Sequence, residues 1–187
     1  MKQILSILTV VLLLGGSVTA QNTEKKMSYK DSKSLVAYFS ATGTTREAAK
    51  MVAQVSGGDL FEIVPLQPYT DDDLDWTDKH SRSSIEMNDK KSRPEVASKV
   101  ENMEQYDIIY LGFPIWWGIA PTIVNTFLEE YDLEGKTIVP FFTSGGSGAG
   151  RTIDYLKPSA PKAVFKEPHL LSYVNEQAVR EWLERIF

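Results

Sequence analysis

Runs of consecutive apolar residues alternate along the chain with stretches in which apolar residues recur every three or four positions. The runs are rich in Val, Ile, Phe and Tyr, which is typical of strands covered on both faces of a parallel sheet. They predict four strands and a shorter fifth one, at residues 35–39, 59–65, 107–114, 137–143 and 163–165.

The periodic stretches between these runs predict amphipathic helices. The first places Ala48, Val52 and Val55 on one stripe and ends at Gly57, a typical residue at a helix C-terminus. The predicted helices span residues 44–56, 94–103, 122–131, 152–156 and 175–187. Alternating strands and helices predict one α/β domain with a parallel sheet, and right-handed connections place helices on both of its faces.

Residues 66–93 form the least regular part of the sequence and contain Tyr69 and Trp76. A connection of this length in a compact domain is often a lid or a binding loop. An acidic cluster lies within it, at Asp71, Asp72, Asp73 and Asp75. The cluster lacks the spacing of a calcium-binding loop, so we interpret it as the solvated start of a helix and predict no metal site.

The N-terminus has the pattern of a secretory signal peptide. Lys2 precedes an apolar run that is too short to span a bilayer, and small residues follow at Val18 and Ala20. We therefore predict a signal peptide at residues 1–20, a flexible polar leader at 21–33 and one domain at 34–187. The alternative is an uncleaved membrane anchor. Export would place the protein outside the cytoplasm, in the periplasm.

Charge and cysteine content limit the function classes. Removing residues 1–20 takes away Lys2, so the formal net charge changes from −5 to −6. An acidic chain of this kind argues against nucleic acid or an anionic membrane surface as a partner. The chain has no cysteine, which excludes disulfides, cysteine-held iron–sulfur clusters and thiol chemistry.

Three unusual loops each follow a predicted strand: the threonine turn (residues 40–45), the tryptophan loop (114–118) and the glycine loop (143–150). In open α/β sheets, ligands bind at the carboxyl ends of the strands, near the point where the strand order switches. We therefore expect the three loops to converge on one site.

The threonine turn, Ser-Ala-Thr-Gly-Thr-Thr, joins a strand to a helix around Gly43. The unpaired N–H groups and partial positive charge of a helix N-terminus suit a phosphate. The turn has neither a lysine nor the Gly-x-x-x-x-Gly-Lys pattern of nucleotide-hydrolysing proteins. This favours a permanently bound monophosphate, and the alternative is an ordinary helix cap.

The other two loops suit a planar ligand. Trp116 and Trp117 can stack on a flat heterocycle, and the alternative for at least one of them is a packing role in the core. Gly118 permits reversal of the preceding peptide, and the glycine loop lets main chain lie against a ring. A competing hypothesis is a serine hydrolase in which Ser147, Asp154 and His169 form a triad. It leaves the other two loops unexplained.

Together the three motifs resemble the flavodoxin family, over nearly all of residues 34–187. The resemblance implies a flavodoxin-like three-layer α/β sandwich, with a five-stranded parallel sheet of order 2-1-3-4-5, and noncovalently bound FMN. It implies that the phosphate is held by Ser40, Thr42, Gly43, Thr44 and Thr45. It implies that the flavin ring is flanked by Pro114, Ile115, Trp116, Trp117 and Gly118, and by Thr143, Ser144, Gly145, Gly146 and Gly148.

The leading functional hypothesis is therefore electron transfer through FMN, with no catalytic side chain, to a redox partner protein or a small acceptor such as a quinone. The alternative is an FMN-dependent reductase that uses NAD(P)H or a quinone, with residues 66–93 as part of its substrate pocket.

Overall fold

A parallel β-sheet forms the centre of the computed structural model, which describes residues 30–173 and 175–187. Its strand order is β2-β1-β3-β4-β5, and a short β6 also pairs with β4. The strands are β1 (Ser34–Tyr38), β2 (Asp59–Glu62), β3 (Ile108–Pro114), β4 (Thr137–Thr143), β5 (Val164–Phe165) and β6 (His169–Leu170). The expected sheet order is confirmed.

Helices cover both faces of this sheet, as predicted. They are α1 (Thr44–Ser56), α2 (Arg82–Asn88), α3 (Ile123–Glu129), α4 (Thr152–Leu156) and α5 (Glu176–Ile186). One face carries α1 and α5, which pack on Val36, Tyr110 and Phe141 of the sheet. Helices α3 and α4 pack on the opposite face, against residues such as Ile109 and Leu111. Because both faces are covered, β1 and β3 are buried along almost their whole length.

The predicted fifth strand is present as β5, and a second short strand, β6, pairs with β4 after it. The N–H of Lys166 donates to the Ile138 carbonyl at 2.9 Å, and the N–H of Leu171 donates to the Phe142 carbonyl at 2.8 Å. Pro168 lies between these two points and has no N–H to offer. Pairing with β4 therefore stops after β5 and resumes at β6, which the sequence analysis missed.

The predicted helix at residues 94–103 is wrong. Val96 instead forms an antiparallel bridge with Pro65. The Leu66 N–H donates to the Glu95 carbonyl at 2.8 Å, and the Ala97 N–H donates to the Val64 carbonyl at 2.7 Å. This extended segment continues the pairing beyond the end of β2, which is an edge strand. Hydrogen bonds to the free backbone groups of an edge strand stabilise the extended form. A helix here would gain little, since only Val96, Val100 and Met103 have helical spacing.

The connection at residues 66–93 contains α2, which the periodicity did not predict. Ser81 caps the helix by accepting a hydrogen bond from the Ser84 N–H, and the buried residues are Ser83, Ser84 and Met87. A buried face made largely of serine gives no apolar stripe. The acidic cluster forms a single 3₁₀ turn, Asp72–Leu74, which ends at the extended Asp75 and does not start the expected helix.

The predicted signal peptide and residues 21–29 of the predicted leader lie outside the described residues. Within the described part, no helix has the length and apolar character needed to cross a membrane.

Candidate functional site

The three loops meet at one cavity of about 530 Å³ at the carboxyl ends of β1, β3 and β4. Its size lies in the usual range for small-molecule sites. The predicted site residues that line it are Ser40, Thr42, Thr44, Thr45, Pro114, Ile115, Trp116, Trp117, Thr143, Ser144 and Gly145. The predicted residues outside its lining are Gly43, Gly118, Gly146 and Gly148.

Gly43 and Ser40 fix the shape of the threonine turn. Gly43 has a φ of 91°, which a residue with a side chain adopts only under strain. The Ser40 hydroxyl oxygen accepts hydrogen bonds from the N–H groups of Gly43 at 3.1 Å and Arg46 at 3.2 Å. Ser40 therefore closes the turn with its oxygen, while its hydroxyl hydrogen remains available to a ligand.

The same turn presents neutral donors to the cavity. Among the described residues, no acceptor is bonded to the N–H of Thr42, Thr44 or Thr45. The Thr45 hydroxyl lies 2.8 Å from the Thr143 hydroxyl in a buried contact, which joins the threonine turn to the glycine loop. The open N–H groups at the start of α1 suit a small anion.

Arg46, which directly follows the threonine turn, is paired with an acidic residue outside the cavity lining. Arg46 contacts Glu62 through Nη2 at 2.5 Å and Nε at 3.3 Å, and the Tyr38 hydroxyl donates to Glu62 at 3.0 Å. The hydrogen bond to Glu62 raises the pKa of Arg46 above its usual value. Among the described residues that line the cavity, none is Asp, Glu, Lys, Arg or His. An anion would therefore be bound by dipoles and hydroxyls.

The tryptophan loop is a tight hairpin. Trp116 and Ile119 exchange backbone hydrogen bonds of 2.9 and 3.1 Å across Trp117 and Gly118. These two residues have φ values of 47° and 82°, as in a type I′ turn. Gly118 adopts this conformation freely, but Trp117 is strained in it, at a cost of about 1–3 kcal/mol. The turn leaves the Trp117 side chain 47% exposed at the cavity.

Gly150 supports this hairpin and was missed by the sequence analysis. A Cβ atom placed on Gly150 would lie 2.3 Å from the Gly118 carbonyl oxygen, and Gly150 itself has a φ of 53°. The glycine loop thus touches the back of the tryptophan hairpin at a point where no side chain fits. The sequence marks this loop as Gly-rich, but its spacing does not single out Gly150.

Trp116 packs on an aromatic cluster below the cavity. Its ring makes edge contacts with Phe39 and Tyr69, at centroid distances of 5.5 and 5.4 Å. The Arg82 guanidinium lies 4.1 Å from the centre of the Tyr69 ring, and the Tyr69 hydroxyl donates to Glu86 at 2.5 Å. Burial and the bond to Glu86 raise the pKa of Tyr69, so this hydroxyl stays protonated. Trp116 therefore packs against the core, which was the alternative given for at least one tryptophan of this loop, and it also lines the cavity.

Comparison with known families decides what kind of protein this site belongs to. The model of the Flavodoxin family matches residues 33–186. The chain belongs to the flavodoxin family. The family match confirms the resemblance drawn from the three motifs, and it covers the whole described sheet.

Solved structures agree with this family assignment. Two relatives are proteins of Bacteroides whose assignment as flavoproteins is provisional. The chain is 54% identical to the one from B. eggerthii, covering 83% of this chain and 98% of that one, with a TM-score of 0.80. It is 49% identical to the one from B. uniformis, covering 82% and 98%, with a TM-score of 0.78.

A more distant structure shows the same fold. The flavoprotein from Lactobacillus acidophilus, solved in complex with FMN, is 22% identical over 81% of this chain and 98% of that one, with a TM-score of 0.61. A comparison with curated proteins gave no match.

The serine hydrolase hypothesis does not agree with the geometry of this flavodoxin-family fold. The Ser147 hydroxyl contacts the Ser144 hydroxyl at 2.9 Å, and Asp154 pairs with Arg151 at 3.0 Å. The His169 ring stacks on Trp182 at 5.1 Å. Since each member of the supposed triad has another partner, the structure does not assemble it.

Further residues of the chain line the cavity without having been predicted to do so. Leu74, Trp76 and Ser83 come from the connection at 66–93, and Ser172 and Tyr173 follow β6. Ser172 anchors the glycine loop, because its hydroxyl accepts from the Ser144 N–H at 3.0 Å and donates to the Ser144 carbonyl at 3.2 Å. The sequence shows Trp76 as a large aromatic residue in a long irregular connection, but only the folded structure places it in the cavity lining.

Proposed function

We propose that this protein binds FMN noncovalently and transfers electrons between redox partners. The observation that carries the proposal is the convergence of the threonine turn, tryptophan loop and glycine loop on one cavity. Support comes from membership in the flavodoxin family and from a structural neighbour that is named as a complex with FMN. Bound FMN supplies reversible one- and two-electron transfer, and the chain supplies binding and electrostatic environment.

In this proposal the threonine turn holds the phosphate. Thr42, Thr44 and Thr45 offer N–H and hydroxyl donors, Gly43 provides the turn, and Ser40 donates its hydroxyl hydrogen. Because the donors are neutral and Arg46 is already paired with Glu62, the turn suits a permanently bound monophosphate rather than a nucleotide that is hydrolysed.

The other two loops hold the ring system. Trp117 is exposed at the cavity and supplies a stacking face, while Trp116 is fixed from behind by Phe39 and Tyr69. Gly118 gives the hairpin its shape, and the glycine loop brings main chain of residues 143–148 close to the ligand. In both loops the structure supplies shape and aromatic surface rather than charge.

A pair of substitutions at Thr44 tests the phosphate assignment. Thr44→Glu places a negative charge at the start of α1, whereas Thr44→Gln adds the same bulk without charge. We expect the Glu variant to bind FMN at least 100-fold more weakly than the Gln variant, measured by quenching of flavin fluorescence. Riboflavin has no phosphate and should bind both variants equally. Equal FMN affinity in the two variants would refute the assignment.

A second candidate function is an FMN-dependent reductase acting on NAD(P)H or a quinone. The observation in its favour is that Leu74, Trp76 and Ser83 bring the connection at 66–93 into the cavity wall. Steady-state oxidation of NAD(P)H in the presence of a quinone separates the candidates. A carrier gives little turnover, and a reductase gives turnover that saturates with both substrates.

We also propose that residues 1–20 direct export and are removed, which leaves a periplasmic protein without stable membrane insertion. The support is the charged, apolar and small-residue pattern of the N-terminus. The mass of the protein recovered from a periplasmic fraction tests this. A chain that begins at Gln21 is expected, and a full-length chain in the membrane fraction would contradict it.

A further inference from the structure

The exposed large aromatic rings of the described chain are gathered at the cavity. Trp76, Trp117 and Tyr173 are 74%, 47% and 97% exposed, and all three line it. Every other exposed large apolar side chain in the described ranges is aliphatic. Exposed aromatic rings that cluster at a concave site indicate ligand contact, since contiguous exposed apolar surface marks binding sites, whereas single apolar side chains are common anywhere on a surface.

Three exposed aromatic side chains line the cavity, whereas a planar flavin ring has two faces to stack on. Trp117 lies on the tryptophan loop, which flanks the ring of FMN in the proposed function. Trp76 comes from a different part of the chain, after the 3₁₀ turn Asp72–Leu74. We propose that Trp76 forms the wall of a second binding space, which takes an uncharged planar aromatic molecule beside the flavin. This inference rests on the proposed function, because it needs the flavin in the first space.

The backbone around Trp76 is fixed, while its ring is free to receive a ligand. The Asp73 carboxylate accepts hydrogen bonds from the N–H and hydroxyl of Thr70, both at 2.9 Å. The Asp75 carboxylate accepts from the N–H and hydroxyl of Thr77 at 2.9 and 2.6 Å. These bonds hold the turn on both sides of Trp76, so little order is lost when a ligand stacks on the ring.

Charge selects the class of ligand. The described residues that line the cavity carry no formal charge at neutral pH, and the turn before Trp76 contributes the exposed carboxylates of Asp71, Asp72 and Asp75. Hydrogen bonds from Thr70 and Thr77 lower the pKa values of Asp73 and Asp75, so both stay ionised. Negative charge beside a neutral wall disfavours a sulfonated ring or the pyrophosphate of a nicotinamide dinucleotide.

Calorimetric titration of the oxidised, FMN-loaded protein tests this inference without turnover. The probes are 1,4-naphthoquinone and its 2-sulfonate, which differ by one negative charge. We expect the neutral probe to bind at least five times more tightly than the sulfonate. Trp76→Ala should weaken the neutral probe by roughly tenfold, the loss of one stacked aromatic contact, and Trp76→Phe should restore most of the affinity.

Two controls make the result decisive. Ile85→Ala removes an exposed apolar side chain from the same connection, outside the cavity lining, and should leave probe binding unchanged. The affinity for FMN is measured in every variant and should stay within twofold of wild type.

Each contrary outcome has its own meaning. Equal binding of both probes, or full binding by Trp76→Ala, overturns the second space. If Trp76→Ala weakens FMN as much as the probe, Trp76 belongs to the flavin site and the inference is wrong. Failure of the wild-type protein to bind FMN overturns the proposed function itself, before any probe is added.

Discussion

The two faces of the sheet are covered in different ways. On one face, α1 and α5 are regular amphipathic helices whose apolar stripes meet Val36, Tyr110 and Phe141. On the other face, α3 and α4 share the surface with residues from the connection between β2 and β3. The first face meets the cavity at the start of α1, through Thr44 and Thr45. The irregular connection on the second face supplies further cavity wall through Leu74, Trp76 and Ser83, so it serves the site as well as the sheet.

The bonding of the two faces differs accordingly. Trp182 of α5 is 3% exposed, and its ring meets Tyr110, Phe141 and His169 within 6.4 Å. The irregular connection has apolar anchors in the core and adds polar contacts, such as those of Glu86 with Tyr69 and Arg82. The free energy gained by apolar burial is roughly proportional to the buried area, and a regular amphipathic helix buries a large area. Hydrogen bonds can stabilise a chain without regular structure.

The largest expected effect is on the helical face. Trp182→Ala removes a buried ring from contact with three others, so we expect a loss of about 3–5 kcal/mol in the free energy of unfolding. Denaturant unfolding of a protein of residues 21–187 measures it. Trp76→Ala is the matched control, since Trp76 is 74% exposed and should change stability by about 0.5 kcal/mol at most. Similar losses in the two variants would contradict the comparison.

Tyr69→Ala on the irregular face should lower the free energy of unfolding less than Trp182→Ala does, and it should also lower FMN affinity. The ring is partly buried, so we expect a loss of about 2 kcal/mol in the free energy of unfolding. Trp116 loses an edge contact at the same time, and FMN affinity should fall several-fold. Tyr69→Phe keeps the ring and removes the bond to Glu86, so it should retain FMN affinity at a cost of about 1 kcal/mol. Equal FMN affinity in the wild type, Tyr69→Ala and Tyr69→Phe would show that the contact of Tyr69 with Trp116 does not position Trp116 for FMN binding.

The contrast between the faces also explains what the sequence could predict. The helices at Thr44–Ser56 and Glu176–Ile186 have full apolar stripes, so their position was predictable to within a residue. Helix α2 buries Ser83 and Ser84, which gives no apolar signal, and it was missed. Val96 and Val100 have helical spacing, yet pairing with the end of β2 holds Val96 in an extended segment. Backbone pairing over a distance leaves no mark on local periodicity.

The cavity lining also contains some residues that the sequence could predict and others that it could not. The three loops follow strands, so their convergence followed from the topology of a parallel sheet and is observed. Trp76 and Tyr173 come from chain that is distant in sequence and has no motif, so only the folded structure reveals them in the lining. Gly150 depends on a contact with Gly118 that no spacing rule contains.

Gly150→Ala probes the junction between the loops and should have an intermediate effect. It adds a methyl group against the Gly118 carbonyl and places alanine at a φ of 53°, so we expect a loss of about 1–2 kcal/mol in the free energy of unfolding. The hairpin that carries Trp117 must shift, and FMN affinity should fall roughly tenfold. Gly135→Ala is the control away from the site, because it places alanine at a φ of 75° with no atom within 4 Å of the added Cβ. Equal FMN affinity in the two variants would mean that the contact does not position the hairpin.

The smallest expected effect is a pH dependence of the helical face through His169. Burial, with a contribution from Arg185, lowers the pKa of the His169 ring, which stacks on Trp182. The folded state therefore binds a proton less readily than the unfolded state, whose histidine titrates near its ordinary pKa of about 6.5. Between the two pKa values the unfolded state binds more protons than the folded state, so the free energy of unfolding rises with pH in this range and falls as the solution is acidified.

Unfolding measured between pH 7 and 5.5, above the range in which most carboxylates titrate, isolates this contribution. His169→Phe keeps an aromatic ring against Trp182 and removes the titration, so its stability should vary less with pH than that of the wild type. A His169→Phe protein with the full wild-type dependence would assign it to other groups. The pH dependence would then not distinguish the helical face, and its difference from the irregular face would rest on packing.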